Sequence, residues 1–426
     1  MKCIKIIPNK LNGQVQIPPS KSMSHRAIIC GGLSNGISNI DNIAFSKDII
    51  ATLEGMKSFG VKVDERVNKI SIKGNESLYL INNKIHCGES GSTLRFLIPM
   101  AGIMGRKVTF TGEGKLVERP LTVYYDLFDK QNICYNTNEG KLPLRVDGKL
   151  KPGIFEMKGD ISSQFITGLM FVLPLLDGDS KIVLTTELES KGYVDLTMDI
   201  LEKFSVHIEN NDYQEFIIKG KQKYVARDYY VEGDFSQAAF FVVAGILGEK
   251  ISCKGLDIHS LQGDKAIIEI VKNMGANIHV KDDCIEIEKG QTHGIEIDAS
   301  QCPDIVPILA VLGALSKGVT KIVNAKRLRI KESDRLKSIS TELNKLGADI
   351  RETEDGLIIY GKDQLVGGTV DSWNDHRIAM ALAIASIKCR EEVIITNSDS
   401  VKKSYPNFWD DFKSLGGKIH EQCMGA

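Results

Sequence analysis

A unit of about 71 residues recurs along this chain of 426 residues, and the repeat constrains the fold more than any other feature of the sequence. Five copies contain the end of an amphipathic helix, a strand, a polar turn and a second strand that closes on a glycine. Successive closing glycines are 74, 72, 70 and 71 residues apart, at Gly74, Gly148, Gly220, Gly290 and Gly361. Six units of this size account for the whole chain.

The sixth copy begins at Phe412 with the sequence FKSLGGKIH, and the chain ends before its pair of strands is complete. The amino-terminal segment KCIKIIPN is a strand with no helix before it, so we predict that it completes the sixth unit. The domain that contains the carboxyl terminus then also contains the amino terminus. This arrangement predicts a discontinuous domain of residues 1–19 plus 232–426 and an inserted domain of residues 20–231, each with three repeats.

A second helix occurs earlier in every unit and is apolar on nearly all sides, which predicts that it is buried. The six helices are HRAIICGGLSNG, TLRFLIPMAGIMG, QFITGLMFVLPLL, QAAFFVVAGILGE, DIVPILAVLGALS and HRIAMALAIASIK. The other helix of each unit, such as LTMDILEKF, is amphipathic and is predicted to cover the outside. The predicted fold class is therefore α/β, with two globular domains that each contain three repeated helix–strand units and buried parallel helices.

Polar residues begin all six buried helices, and the simplest interpretation is capping, because Ser, Thr and Asp satisfy the N–H groups of a first turn. Capping accounts for Ser236 and for Ser92. It does not account for Arg26, Arg95 and Arg377, since an arginine near a helix amino terminus opposes the helix dipole by about 0.3–1 kcal/mol. Cations at these positions indicate an anion, for which helix N–H groups and guanidinium groups are both suitable donors.

Equivalent repeats place the six helix starts at equivalent ends of their domains. Two such ends facing each other predict an active site in the cleft between the domains, shaped for one polyanionic ligand or for two anions. The chain crosses between the predicted domains twice, near Pro19 and near Glu232, and two such crossings form a natural hinge for closure over a ligand.

Two further motifs are rich in cations. Residues 327–337, RLRIKESDRLK, are either a solvated helix start or part of the anion site. Lys331 and Arg335 are four residues apart, which predicts that they share one face of a helix, in the same repeat as Asp304. Residues 402–406, KKSYP, are either a lysine-rich loop or a further part of that site.

Composition excludes several classes of protein. The formal net charge of −1 argues against a nucleic-acid or membrane partner, so any basic site is local. Nine cysteines are scattered without a CxxC pair, which indicates reduced thiols and a cytoplasmic location rather than a disulfide framework or a zinc site. The segment GEGKLVERP lacks the spacing of a P-loop, and GESGS lacks the final glycine of a nucleophile elbow.

Nine short motifs carry a resemblance that covers the full chain. In order they are PPSKSMSHR, CGESGSTLRF, GEGKLVERP, GDISSQF, SKGY, PDIVP, RIKESDR, NDHRIAMA and KKSYP. With these motifs and the sixfold repeat, the sequence resembles the 5-enolpyruvylshikimate-3-phosphate synthase family, the enolpyruvyl transferases of the shikimate pathway. The resemblance implies two inverse α/β domains that close on shikimate 3-phosphate and phosphoenolpyruvate. It implies no metal or organic cofactor and no macromolecular partner, and we expect a monomer.

The resemblance also implies the residues of the site. The implied ligands of shikimate 3-phosphate are Lys21, Ser22, Arg26, Ser162, Ser163, Gln164, Ser190, Tyr193, Asp304, Arg327 and Lys331. The implied ligands of phosphoenolpyruvate are Lys21, Gly91, Arg119, Gln164, Arg335, Arg377 and Lys403. Asp304 would take the proton of the attacking 5-hydroxyl, while Glu332 with Lys21 would move protons at the methylene carbon.

Two other functions compete with this interpretation. The sister family that transfers enolpyruvate to a UDP-sugar carries a reactive cysteine in the loop that matches GEGKLVERP, and residues 112–120 contain no cysteine. A non-catalytic anion-binding protein is the second alternative. Asp304 and Glu332 argue against it, because carboxylates weaken an anion site unless they transfer protons.

Overall fold

The computed structural model describes residues 2–75 and 78–423. The chain forms two compact units, which we call the terminal unit (Met1–Pro18 with Glu232–Ala426) and the inserted unit (Pro19–Val231). Each unit has its own hydrophobic core, built from the buried helices and from one face of its sheets.

Twelve α-helices lie in the described residues. They are α1 Lys21–Leu33, α2 Lys47–Ser58, α3 Gly91–Met104, α4 Thr122–Gln131, α5 Ser163–Val172, α6 Lys191–Lys203, α7 Phe235–Leu247, α8 Ile267–Asn273, α9 Val306–Ala314, α10 Arg335–Lys345, α11 His376–Ala385 and α12 Phe408–Ser414. Short 3-10 helices occupy Gly114–Glu118, Leu173–Leu175, Gly263–Ala266, Pro303–Ile305, Lys326–Ile330, Ser386–Lys388 and Ser398–Lys403.

Twenty-four strands alternate with these helices over the same residues. They are β1 Lys2–Ile7, β2 Gly13–Gln16, β3 Gly36–Asp41, β4 Lys62–Arg66, β5 Lys69–Gly74, β6 Lys84–His86, β7 Val108–Thr111, β8 Cys134–Asn138, β9 Lys141–Asp147, β10 Ile154–Met157, β11 Ser180–Leu184, β12 Ile208–Asn211, β13 Glu215–Ile218, β14 Tyr229–Tyr230, β15 Ile251–Lys254, β16 Asn277–Lys281, β17 Cys284–Glu288, β18 Glu296–Asp298, β19 Val319–Val323, β20 Asp349–Glu352, β21 Leu357–Tyr360, β22 Gly368–Asp371, β23 Val393–Thr396 and β24 Lys418–Cys423.

The strands form six four-stranded sheets, one for each predicted repeat. The inserted unit contains the sheets β14-β3-β5-β4, β6-β7-β9-β8 and β10-β11-β13-β12. The terminal unit contains β16-β17-β15-β2, β18-β19-β21-β20 and β22-β23-β1-β24. Every sheet contains one parallel pair, which an edge strand forms with its neighbour, and the other pairs are antiparallel. The parallel edge strands are β14, β6, β10, β2, β18 and β22.

The amino-terminal strand completes the last repeat, as predicted. Strand β1 lies between β23 and β24 and is antiparallel to both, with Ile4 opposite Ile395 on one side and Glu421 on the other. The side chains of Cys3, Ile4 and Ile6 are buried, so this strand contributes to the core of the terminal unit.

Two edge strands depart from chain order. In four repeats the parallel edge strand directly precedes the buried helix of its own repeat, as β6 precedes α3. Strand β2 instead pairs with β15, and β14 pairs with β3. Each of these two strands comes just before the chain passes from one unit to the other, and each pairs within the unit that the chain is leaving.

The six helices predicted to be buried are α1, α3, α5, α7, α9 and α11, and most of their residues are inaccessible to solvent. All 13 residues of α7 are buried, which fits a helix that is apolar on every side. Each fully buried Leu, Ile, Val or Phe stabilises a core by about 1.5–3 kcal/mol. Because these helices are packed into the cores, the polar residues of their first turns are held in fixed positions.

Candidate active site

The first turn of α1 presents Lys21 and Ser22 in the inserted unit. The hydroxyl of Ser20 caps this helix by accepting a hydrogen bond from the N–H of Met23. The Nζ atom of Lys21 lies 2.8 Å from Oδ2 of Asp48, a residue in the first turn of α2. Asp48 thus holds the ammonium group at the helix start, and no motif in the sequence marks it as part of the site.

Arg26 joins two of the predicted ligands of shikimate 3-phosphate. Its guanidinium donates from Nη1 to the carbonyl of Ser22 at 2.7 Å and from Nη2 to the carbonyl of Tyr193 at 2.9 Å. A third bond runs from Nε to Oγ1 of Thr197 at 2.9 Å. Burial lowers the pKa of the guanidinium to about 10. Ser22 and Arg26, four residues apart in α1, are therefore neighbours on successive turns of the helix.

The starts of α3 and α5 meet Arg119, which ends the 3-10 helix Gly114–Glu118, around Gly91. A Cβ atom on Gly91 would lie 2.7 Å from Nη1 of Arg119 and 3.1 Å from Nη1 of Arg95. Gln164, on the first turn of α5, accepts from Nη1 of Arg95 at 2.7 Å and donates to Ser92 at 2.9 Å. Two arginines and an amide therefore surround the backbone at the start of α3. The sequence marks Arg95 only as a cation at a helix start.

A second glycine allows α5 to approach α3 this closely. A Cβ atom on Gly168 would lie 2.4 Å from the carbonyl oxygen of Arg95 and 2.4 Å from the hydroxyl of Tyr124. A larger residue at Gly168 would push α5 away from α3, and Gln164 would then move away from Arg95.

The serines at helix starts have more than one role. Ser162 caps α5 and accepts from the N–H of Gln164, while Ser163 is buried beside it. Ser190 precedes α6 in the left-handed region, with φ of 58°, and its side chain makes no capping hydrogen bond. Because a non-glycine residue rarely adopts this conformation, Ser190 is a strained position of the kind found at functional sites.

The predicted capping roles of Ser236 and Ser92 are wrong. Asp234 caps α7, and the hydroxyl of Ser236 donates instead to Asp264. Ser90 caps α3, and the hydroxyl of Ser92 accepts from Gln164. In both helices the cap is the polar residue two positions earlier, which leaves the second hydroxyl available for a tertiary contact.

Arg335 is the centre of the ionic contacts in the terminal unit. Its side chain is only 2% exposed and contacts three carboxylates. Nη1 lies 2.9 Å from Asp304, Nη2 lies 2.6 Å from Glu332, and Nε lies 2.8 Å from Asp375. These neighbours raise the pKa of Arg335 although burial acts in the opposite direction. The arginine is therefore a permanent cation that fixes both predicted proton-transfer carboxylates.

Asp304 is surrounded by cations. Besides its bond to Arg335, its Oδ2 atom lies 3.1 Å from Nη2 of Arg377, and its Oδ1 atom lies 3.9 Å from Nζ of Lys331. Burial lowers the pKa of the Lys331 ammonium group to about 8, and the charge of Asp304 opposes that shift. Three cations that the sequence assigned to the site, Lys331, Arg335 and Arg377, thus meet at the carboxylate of Asp304.

The expected helical face of Lys331 and Arg335 is wrong. Helix α10 begins at Arg335, and Lys331 has an extended conformation after the 3-10 helix Lys326–Ile330. Asp334 caps α10, so the chain has not yet become helical at Lys331. The two cations are close because both contact Oδ1 of Asp304.

The start of α11 holds Arg377 and Lys403 in place. Asp375 caps this helix by accepting a hydrogen bond from the N–H of Arg377 at 2.9 Å, and its side chain also accepts one from Arg335. The preceding residue, Asn374, has a φ of 53°, and its carbonyl accepts from Nζ of Lys403 at 2.5 Å.

Arg327, which the resemblance assigns to shikimate 3-phosphate, lies outside this helix start and donates to the carbonyl of Ser300.

Within the described residues, no group of three or more His, Cys, Asp or Glu side chains is arranged to hold a metal ion. The same part of the chain contains no helix that is both long and apolar enough to cross a bilayer.

Comparisons with known proteins show the family and the fold of this chain. The model of the family described as EPSP synthase (3-phosphoshikimate 1-carboxyvinyltransferase) matches residues 6–412. The 3-phosphoshikimate 1-carboxyvinyltransferase of Clostridium novyi (strain NT) is 65% identical over 434 residues, and that of Clostridium kluyveri is 59% identical over 425 residues; both alignments cover 100% of each chain. A solved EPSP synthase from Acinetobacter baumannii has a TM-score of 0.84 at 24% identity, covering 99% of this chain and 100% of that chain. This likeness shows the fold alone and confirms the predicted fold class.

Proposed function

Because the chain belongs to the EPSP synthase family, we propose that the predicted site residues of its two units act together on phosphoenolpyruvate and shikimate 3-phosphate. The chain is an enolpyruvyl transferase of the shikimate pathway. It transfers the enolpyruvyl group of phosphoenolpyruvate to the 5-hydroxyl of shikimate 3-phosphate and releases phosphate. The location of the site between the two domains stays a prediction.

The proposal assigns anion binding to the cations at the helix starts. Shikimate 3-phosphate is bound by Lys21, Ser22, Arg26, Ser162, Ser163, Gln164, Ser190, Tyr193, Asp304, Arg327 and Lys331. Phosphoenolpyruvate is bound by Lys21, Gly91, Arg119, Gln164, Arg335, Arg377 and Lys403. The close approach of Arg119 and Gln164 to Gly91 supports the second set, because it places a guanidinium beside the N–H groups of a helix start.

The observation that carries the proposed mechanism is the position of Asp304 among Arg335, Arg377 and Lys331. Three cations hold this carboxylate in place, and its oxygens can accept the proton of the 5-hydroxyl as that oxygen attacks C2 of phosphoenolpyruvate. Glu332, held 2.6 Å from Arg335, with Lys21 adds a proton at C3 and removes one when the bond between C2 and the phosphate oxygen breaks. The arginines stabilise the negative charge on the departing phosphate.

We also propose a monomer in the cytoplasm. Seven cysteines support a reducing compartment, since Cys30, Cys87, Cys134, Cys253, Cys284, Cys302 and Cys389 are not joined in disulfides, and all but Cys134 are buried.

A phosphate-release assay tests the reaction. We expect the protein to release phosphate from phosphoenolpyruvate when shikimate 3-phosphate is present, and to release none when UDP-N-acetylglucosamine is the only acceptor. Activity with the UDP-sugar alone would contradict the assignment. Tight binding of both substrates without any phosphate release would favour the non-catalytic alternative.

Replacing Gly91 with alanine tests the phosphoenolpyruvate set. The new Cβ would meet Nη1 of Arg119 at 2.7 Å, so the guanidinium has to move. We expect KM for phosphoenolpyruvate to rise about ten- to hundredfold, because displacements of about 1 Å in a site have effects of this size. KM for shikimate 3-phosphate should change little.

The matched control is Gly102→Ala, on the same helix. A Cβ atom at Gly102 would lie 3.1 Å from the Cβ atom of Leu150, so this substitution presses on an apolar contact and not on an arginine. It is expected to alter the melting temperature and to leave both KM values unchanged. An equal rise in KM for both variants would show that Gly91 acts only through packing.

A further inference from the structure

Asp264 is a buried carboxyl group that the mechanism above does not use. It lies in the 3-10 helix Gly263–Ala266 and is 3% exposed. Its Oδ2 atom accepts a hydrogen bond from the hydroxyl of Ser236 on α7. Its Oδ1 atom is buried and has no hydrogen-bond partner among the described residues. A buried carboxylate in this situation loses hydration that one hydroxyl does not replace.

Contacts of the two residues before Asp264 hold it in place from two sides. The side chain of Gln262 accepts from the N–H of Phe235 at 2.9 Å and donates to the carbonyl of Gly233 at 2.8 Å, which fixes the segment to the start of α7. On the other side, a Cβ atom on Gly263 would lie 2.7 Å from the carbonyl oxygen of Gln301. Residues 262–264 are therefore packed against the segment that leads to Asp304.

The charged and titratable groups that face Asp264 come from three elements. They are Asp234 before α7, Cys302 and Asp304 beside and within the 3-10 helix Pro303–Ile305, and Arg377 on α11. Helix α8, which follows Asp264, carries Glu269 and Lys272 as an ion pair at 2.9 Å, with Glu269 exposed to solvent.

These surroundings bring the ionisation of the Asp264 carboxyl group close to neutral pH. Burial raises the pKa of its carboxyl group to about 7, and repulsion by Asp304 and Asp234 adds to the shift. Arg377 and the hydroxyl of Ser236 act in the opposite direction. The repulsion is mutual, so the protonation state of one carboxyl group affects the other.

We propose that Asp264 is a positioning residue for the reaction, whose ionisation strengthens Asp304 as a proton acceptor. The proposal rests on the role of Asp304 given above. When Asp264 loses its proton, the added negative charge near Asp304 makes a proton on Asp304 more stable. The 5-hydroxyl then loses its proton more readily in the transition state. In this role Asp264 acts through Asp304 and needs no contact with either substrate.

The test is the pH dependence of kcat/KM, measured by phosphate release with the full chain from about pH 5.5 to about pH 8.5. The wild-type profile should rise through an inflection near pH 7, where Asp264 ionises. Asp264→Asn keeps the shape of the side chain without the charge. The pH profile of its kcat/KM should lack this inflection. At pH 8 its kcat/KM should be about three- to tenfold lower than that of the wild type, because lowering the pKa of a general base by about one unit lowers the rate by only part of that tenfold factor.

Ser236→Ala provides a second, independent variant. The hydroxyl of Ser236 stabilises the ionised carboxylate, so its loss should move the inflection above the wild-type position without removing it. This variant decides the question if Asp264→Asn does not fold. Asp411→Asn is the matched control, because Asp411 also has a pKa raised by burial and accepts a hydroxyl bond, from Tyr405 at 2.7 Å. It should leave the inflection in place.

An inflection that is absent from the wild type, or that persists unchanged in Asp264→Asn or Ser236→Ala, would overturn the proposal. Asp304→Asn separates this result from a failure of the mechanism. If Asp304→Asn loses turnover while Asp264→Asn has the wild-type profile, only the role of Asp264 is wrong. If Asp304→Asn retains turnover, the assigned role of Asp304 is wrong, and the role of Asp264 is overturned with it.

Discussion

Replacing Arg335 with methionine is expected to lower the free energy of unfolding by about 3–5 kcal/mol, the cost of leaving buried carboxylates without their cation. Three carboxylates depend on this guanidinium, and its side chain is 2% exposed. Methionine fills a similar volume but offers no charge. The effect should appear as a lower midpoint in urea unfolding, and the proposed phosphoenolpyruvate site should lose activity as well.

The pH dependence of this loss has a definite sign. A buried carboxylate that has lost its cation takes up a proton more readily, and a protonated carboxyl costs less to bury. The difference between wild type and Arg335→Met should therefore shrink as the pH falls toward about 5. Adding Asp375→Asn should recover part of the stability, because it removes one of the unpaired charges.

Arg351→Met is the control for Arg335→Met. Arg351 is exposed in the same unit, and its guanidinium lies 4.9 Å from the ring centre of Tyr360. An exposed cation–π contact contributes only about 0.5–1 kcal/mol. Equal midpoints for the two variants would show that Arg335 is not the counter-ion of a buried carboxylate cluster.

Asp304→Asn is expected to reduce kcat by about a hundred- to ten-thousandfold, the usual contribution of a positioned general base. Asparagine preserves the shape of the side chain and can still accept a hydrogen bond from Arg335 or Arg377. Binding of shikimate 3-phosphate, measured by calorimetric titration, should stay within about threefold of wild type because the cations that bind the phosphate are still present.

The control for this substitution is Asp298→Asn. Asp298 precedes Asp304 by six residues and has its own structural partners, the N–H of Ser300 at 2.8 Å and the amide of Asn324 at 3.0 Å. Its loss should affect stability without reducing kcat. If Asp304→Asn abolishes binding while the fold is intact, Asp304 serves mainly to bind shikimate 3-phosphate and another group takes the proton.

Some elements of the fold follow from local pattern and repeat length. The buried helices were predictable because an apolar surface on all sides of a helix has to be covered by other elements. The pairing of β1 with β24 followed from counting, since the sixth repeat lacked one strand and the first strand lacked a helix. The edge strands β2 and β14 could not be assigned from sequence, because short strands gain their stability from the neighbour with which they pair.

The contacts of the candidate site also fall into those that the local sequence predicts and those that it does not. Ser22 and Arg26 were predictable as neighbours because four residues span about one turn of a helix. Lys331 and Arg335 have the same spacing, but a capping residue between them delays the helix, so their proximity has a different cause. Asp48, Asp264 and Asp375 were missed as members of the site, since nothing in their local sequence marks which cation or hydroxyl they meet.

The sequence by itself determined the six repeats, the helices that must be buried and the family, because periodicity and short motifs are properties of neighbouring residues. Only the tertiary structure decided which charges share a contact. Arg335 meets Asp375 across 40 positions and Asp304 across 31, and Asp264 meets Ser236 across 28. Such contacts depend on how whole helices pack, and Coulomb energy varies with the distance that this packing sets.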